Sequence, residues 1–165
     1  MTDSTDTRIR RAMANSTKGE TGRMTLPPWV RDLDLDAVDD VLGWRDPKAP
    51  DRGVLLLPGD EGDDGVVAIA LRAGERAARA TAMCALCRTT HAPGRVELLV
   101  ARRAGAAGRN GDTVGTYVCG DLRCAQHVRV EKATAALRPT PGTSVEERRE
   151  GLRERARRFV DAVLS

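Results

Sequence analysis

Aromatic side chains are scarce in this sequence. Trp29, Trp44, Tyr117 and Phe159 are the only Trp, Tyr or Phe residues, 2% of a chain of 165. Leu, Val and Ala must therefore fill the interior, and a core built from them packs thinly enough that a cross-link would help. Long apolar runs are missing too, and none approaches the length of a helical membrane span. The opening MTDSTDTRIRR mixes acids with bases, unlike a secretory leader, so a soluble, cytoplasmic protein is expected. In that reducing compartment closely paired cysteines point to metal or to catalysis rather than to a lasting disulfide.

A dominant charge of one sign is also absent: 27 Lys and Arg against 24 Asp and Glu leave a formal +3, which alone names no partner. The distribution is more telling. Residues 31–64 are acidic (DLDLDAVDD, GDEGDD), whereas from Arg88 onward arginines outnumber acids, so the cysteine-bearing half is the basic half.

The length fits one compact domain with appendages. Four segments are expected: an N-terminal helical segment over 1–25, a small α+β region over 26–83, a core over 84–138 that holds all four cysteines, and an amphipathic helix over 143–165. In the first, TDTRIRRAMANSTKG reads as a helix with Ile9, Ala12 and Met13 on one side and Gly19 as its stop. Prolines then stiffen LPPWV. DLDLDAVDDVLGW spaces Leu35, Val38 and Leu42 for a short helix ended by Gly43. VLLLP and VVAIALR read as a hairpin with a solvated tip at GDEGDDG, and AGERAARATAM as a helical turn or a linker.

RVELLVARR and TVGTYVC read as paired strands, with Asn110-Gly111 in their connection favouring the positive backbone angles of a hairpin turn. DLRCAQHVRVEKATAAL has helical spacing, with Asp121 as candidate N-cap. The terminal helix opens with a capping box from Ser144 to Glu147 and aligns Leu152, Phe159 and Val163.

The cysteines fall as Cys84-x2-Cys87, thirty-one residues, then Cys119-x4-Cys124. A knuckle-like turn, a hairpin, and a pair at a strand-to-helix junction follow in the order of a treble-clef zinc finger. The fold class expected is therefore α+β: a treble clef of knuckle, β-hairpin and helix, with additional N-terminal helices and strands and a C-terminal helix. Zinc suits such a pattern because a tetrahedron of thiolates at about 2.3 Å needs two short bites and no redox change. Cys124 in a first helical turn would gain from the free N–H groups and dipole there. Arg88 and Arg123, each beside a ligand, would offset part of the negative charge of four thiolates around one dication.

Other chemistries are weaker fits. A redox dithiol would explain Cys84 and Cys87 but leave the second pair idle, and the alternation of strands and helices expected around such a motif is missing. A nucleophilic Cys with His91 as base lacks a visible orienting acid. His91 and His127 stand at permissible ligand spacings, but four cysteines already complete a tetrahedron, so both are expected beside the metal or at the surface. A complete cage leaves no position for water, which makes the zinc structural and worth about 10 kcal/mol in small modules. GAAGRNGDT lacks the Gly-Lys-Ser/Thr ending of a phosphate loop, DLDLDAVDD does not fit a calcium loop, and the arginines of the terminal helix read as a solvated face.

CALCRTTH and ARRAGAAGRNGDTVGTYVCGDLRC, with LGWRDPKAP upstream, resemble the elongation factor G-binding proteins, whose best-known members confer fusidic acid resistance. The resemblance runs from about Ile9 to Leu137. It implies a treble-clef domain that docks onto translation elongation factor G and helps free it from the ribosome, with no chemistry on a small-molecule substrate. By position, Cys84, Cys87, Cys119 and Cys124 match the family's zinc ligands. Placement and chemistry select Arg88, Arg103, Arg109, Tyr117 and Arg129 as candidate partner contacts. Direct RNA or ribosome binding through the same basic half is the alternative, although base recognition wants stacking rings that this half lacks.

Overall fold

The computed structural model describes residues 2–59, 64–74 and 80–165. Helix α1 (Thr5–Ala12) is capped by Ser4 and buries Ile9. Met13 then joins the sheet through an isolated parallel bridge to Ala68. The expected stop at Gly19 is not one: a second helix, α2 (Lys18–Arg23), contains it, started by a capping box in which Thr17 and Glu20 satisfy each other's backbone N–H groups. A single turn, α3 (Pro28–Arg31), begins on Pro28, where a missing N–H costs nothing.

The helix expected over DLDLDAVDDVLGW reduces to a 3-10 turn at Leu35–Ala37. Asp34 accepts the Asp36 N–H at 3.1 Å, a local bond that competes with helix formation, and Leu42 is taken into strand β1 (Leu42–Asp46), paired with Leu56. The expected hairpin forms from β2 (Ala49–Pro58) and β3 (Val66–Ala73), paired from Arg52↔Arg72 to Pro58↔Val66. Its tip at 60–63, and residues 75–79 of AGERAARATAM, lie outside the described residues.

After β4 (Ala82–Met83) and β5 (Thr90–His91), β6 (Val96–Arg102) pairs along its length with β7 (Thr113–Cys119). Their connection differs from expectation. It holds a short helix, α4 (Gly105–Arg109), closed by Gly111 at φ +93°, while Asn110 keeps φ −87°. Helix α5 is a single turn (Cys124–His127), far shorter than the spacing of 121–137 predicts, and its N-cap is Arg123 rather than Asp121. Strand β8 (Leu137–Arg138) closes a small sheet in the order β4-β5-β8. Helix α6 (Val145–Leu164) carries the expected capping box at Ser144 and buries Leu152, Phe159 and Val163 as expected.

The main sheet is antiparallel, in the order β1-β2-β3-β6-β7, so strands from 42–73 and from 96–119 share one hydrogen-bonded layer. Asn15 wedges between β3 and β6, accepting the Ala70 N–H and donating to the carbonyls of Ala70 and Arg102. The run VLLLP is apolar throughout because both faces are covered. Val54 and Leu56 meet Ile9, Val30 and Trp44 on one side. Leu55 and Leu57 meet the cysteines and the apolar stripe of α6 on the other. Among the described residues no helix is long and apolar enough to cross a membrane.

Candidate metal centre

Two tight turns deliver the four thiols. In the first, the N–H of Cys84 donates to the Thr89 carbonyl at 3.0 Å and the N–H of Arg88 returns to the Cys84 carbonyl at 2.9 Å, with Arg88 in the left-handed region at φ 59°. The Cys87 N–H points at the Cys84 sulfur, 3.4 Å away, a dipole that favours a thiolate there. In the second, β7 ends on Cys119, and the Leu122 N–H closes onto the Cys119 carbonyl at 2.9 Å. Cys124 opens α5, as the sequence predicts.

All four cysteines are buried, and their sulfurs lie within 4.8 Å of one another. Cys84 Sγ stands 3.7 Å from Cys124 Sγ, and Cys87 Sγ 3.5 Å from Cys119 Sγ. A zinc tetrahedron with 2.3 Å bonds requires sulfurs about 3.8 Å apart. The donor set therefore suits one structural zinc ion. Packed this closely, the sulfurs do not ionise alike: hydrogen bonds first from Cys119 and then from Cys124 draw the Cys84 and Cys87 thiols below the usual range, while the Cys119 thiol is raised. Cys124 is pushed above it by Cys119, Cys84 and Cys87. Four thiolates in one dry volume need a cation.

Both histidines approach this group, and with Cys87 and Cys119 they form a second set of possible ligand atoms. Distance separates the two sets. His91 Nε2 lies 3.1 Å and His127 Nδ1 3.2 Å from the Cys119 sulfur, closer than the roughly 3.6 Å of nitrogen and sulfur sharing a tetrahedral zinc. They fit donors to a thiolate. His127 Nε2 faces Asp121 Oδ2 at 3.3 Å, and Asp121 Oδ1 accepts the Arg123 N–H at 2.9 Å. Burial opposes the charged imidazole, but Asp121 and the Cys87 sulfur outweigh it and raise the His127 pKa to about 9. A carboxylate, an imidazole and a metal-binding sulfur in line is a pattern that orients ligands around metals.

The sequence reading missed the arginines of α6 as builders of this region. Arg148, 7% exposed, donates to the carbonyls of Val128 at 2.9 Å, Thr143 at 2.6 Å and Val130 at 3.1 Å. Arg155 Nε donates to the Leu86 carbonyl at 2.6 Å, inside the first knuckle. These two side chains are structural clamps, a correction to the solvated face expected of them. A signal existed: Arg148 stands four residues before Leu152 on the helix's apolar stripe.

The five candidate partner residues differ in freedom. Arg88, Arg109 and Tyr117 are exposed, Tyr117 by 53%. Arg103 clasps the end of α6 through the Ala162 carbonyl and the Ser165 hydroxyl. Arg129 binds the Ala125 carbonyl and the carboxylate of Asp40.

Knuckle, strand hairpin and short helix around a buried four-cysteine group make this a treble-clef zinc-finger protein of mixed helix and sheet. The chain belongs to the family described as FBP C-terminal treble-clef zinc-finger, whose model matches residues 8–163, nearly all of it. Comparison with curated proteins and with solved structures gives no match.

Proposed function

We propose that this protein is a non-enzymatic adaptor that binds translation elongation factor G and promotes its release from the ribosome. The buried, closed donor set carries this reading: four thiols fill a zinc tetrahedron and leave no position at which the metal could activate water. The metal then serves to hold a surface in shape. The resemblance of CALCRTTH and GTYVC to the elongation factor G-binding proteins selects the partner, and such a role belongs to the cytoplasm.

Arg88, Arg109 and Tyr117 offer exposed contacts beside the zinc turns and hairpin, and the Tyr117 carbonyl fixes the knuckle by accepting the Ala85 N–H at 2.8 Å. Arg103 and Arg129 contribute from positions already tied to the fold. Binding energy acts by population shift: the adaptor frees the factor to the extent that it prefers the released conformation.

A pull-down from native cytosol with metal-replete protein, and Cys119→Ser as control, tests this. Capture of elongation factor G by the parent and not by the variant is expected. Recovery of ribosomal RNA without the factor, weakening steeply with salt as counterion release requires, overturns the reading in favour of RNA binding.

A further inference from the structure

On the sheet face away from the cysteines, a bay of about 240 Å³ opens between the strands and the segment that carries α2. Its floor is apolar: Val54, Ala70 and Val100 sit on neighbouring strands β2, β3 and β6, with Trp44 and Met24 at the side. Arg23, Arg52, Arg72 and Arg102 also line it.

The charges there do not balance. Arg102 is paired with Glu20 at 2.6 Å. Asp46, the other acid of the bay, is occupied by the backbone N–H groups of Thr25, Lys48 and Ala49. Arg23, Arg52 and Arg72 have no hydrogen-bonded or ion-paired partner among the described residues. Arg52 and Arg72 are moreover direct cross-strand neighbours. Like charges in that position are destabilising unless something neutralises them, and two arginines on one face of adjacent strands offer guanidinium donors suited to the oxygens of an acid group.

We propose that this bay binds a small organic anion, an apolar body bearing a carboxylate or phosphate monoester, with the acid group on Arg52 and Arg72 and the body on Val54, Ala70 and Val100. The volume supports a small molecule, since a cavity of about 150 Å³ already accepts benzene. A bare inorganic anion would leave the apolar floor unused. A neutral compound would leave the arginines unpaired. The site is separate from the zinc centre and independent of any elongation factor.

Titration calorimetry on the zinc-loaded full chain tests it, with 2-naphthoate, 2-naphthyl phosphate, 2-naphthamide and inorganic phosphate as probes. Saturable one-to-one binding of a naphthyl anion is expected, at least about tenfold tighter than the neutral amide and than inorganic phosphate, as charge-assisted hydrogen bonds and apolar burial together imply. The tighter of the two naphthyl anions names the acid group. Arg52→Gln and Arg72→Gln should each weaken it about tenfold while leaving the unfolding midpoint unchanged or raised, because like-charge repulsion is relieved. Amide shifts in the unmutated protein should centre on Val54, Ala70 and Val100. No saturable binding, equal affinity for the amide or for inorganic phosphate, indifference to both substitutions, or shifts centred elsewhere would each overturn the proposal.

Discussion

Leu122 presses against Gly43 so closely that a β-carbon on that glycine would lie 2.7 Å from the Leu122 carbonyl oxygen and 2.8 Å from its Cβ. On the neighbouring strand a β-carbon at Gly53 would meet Leu122 Cδ1 at 2.7 Å. Leu122, held at φ 58° between Cys119 and Cys124, is thus a plug seated in a notch that two glycines leave in the sheet. The second zinc turn is docked through it. Gly43→Ala must push this loop away, so a loss of about 1–3 kcal/mol in denaturant unfolding is expected, with weaker zinc retention in chelator competition. Unchanged zinc affinity would refute the link between notch and metal.

The metal centre makes a sharper prediction. Purified protein should carry one zinc per chain, and Cys84→Ser, Cys87→Ser, Cys119→Ser or Cys124→Ser should each lose it. His91→Ala and His127→Ala should keep one equivalent and weaken affinity by about 10- to 100-fold, as loss of a group that supports a ligand does. Elemental analysis and cobalt absorption spectra read both. A histidine variant that carries no metal would make that histidine a ligand.

Arg148 holds three backbone carbonyls from within the protein. Arg148→Met keeps the apolar stem and removes every donor, so the cost falls on those acceptors. About 2–4 kcal/mol of destabilisation is expected, against less than about 1 kcal/mol for Arg158→Met, whose ion pair with Glu154 is exposed. Comparing the two denaturation midpoints separates clamp from decoration.

Acid should weaken the N-terminal docking in a predictable window. The N–H of Thr17 lowers the Glu20 pKa from its ordinary 4.5, opposed by burial and aided by Arg102 and Arg72. The unfolded chain therefore binds more protons than the folded one between those two values, and stability rises with pH there. The contribution is fully present above 4.5 and fades as pH falls through the lowered folded value. Glu20→Gln should flatten this part of the stability profile. A slope identical to the parent's would show that Glu20 does not contribute.

Much of this protein was legible because the signal was local. Ser144 and Glu147 sit three apart before an amphipathic stripe, and α6 starts there. Paired runs of β-branched and Leu residues became β2 with β3 and β6 with β7. The misreadings arose where distant partners outbid local preference. Gly43 resembles a helix stop in the sequence, yet it is empty space for Leu122. The 121–137 segment has helical spacing, yet the carbonyls of Val128 and Val130 go to Arg148 instead of to a helix. Arg52 and Arg72 become neighbours only through the register of β2 against β3, which no local pattern encodes.

The sequence by itself determined the family, the pairing of the thiols and the mixed helix and strand content, because each depends on spacing within a few residues of chain. Only the tertiary structure decided that Cys119 would take two histidines, that α6 would grip the first zinc turn through Arg155, and that a basic bay would open on the opposite face. Those contacts join residues far apart in the chain, and no local propensity encodes which side chain will meet which backbone acceptor once the sheet is covered on both sides.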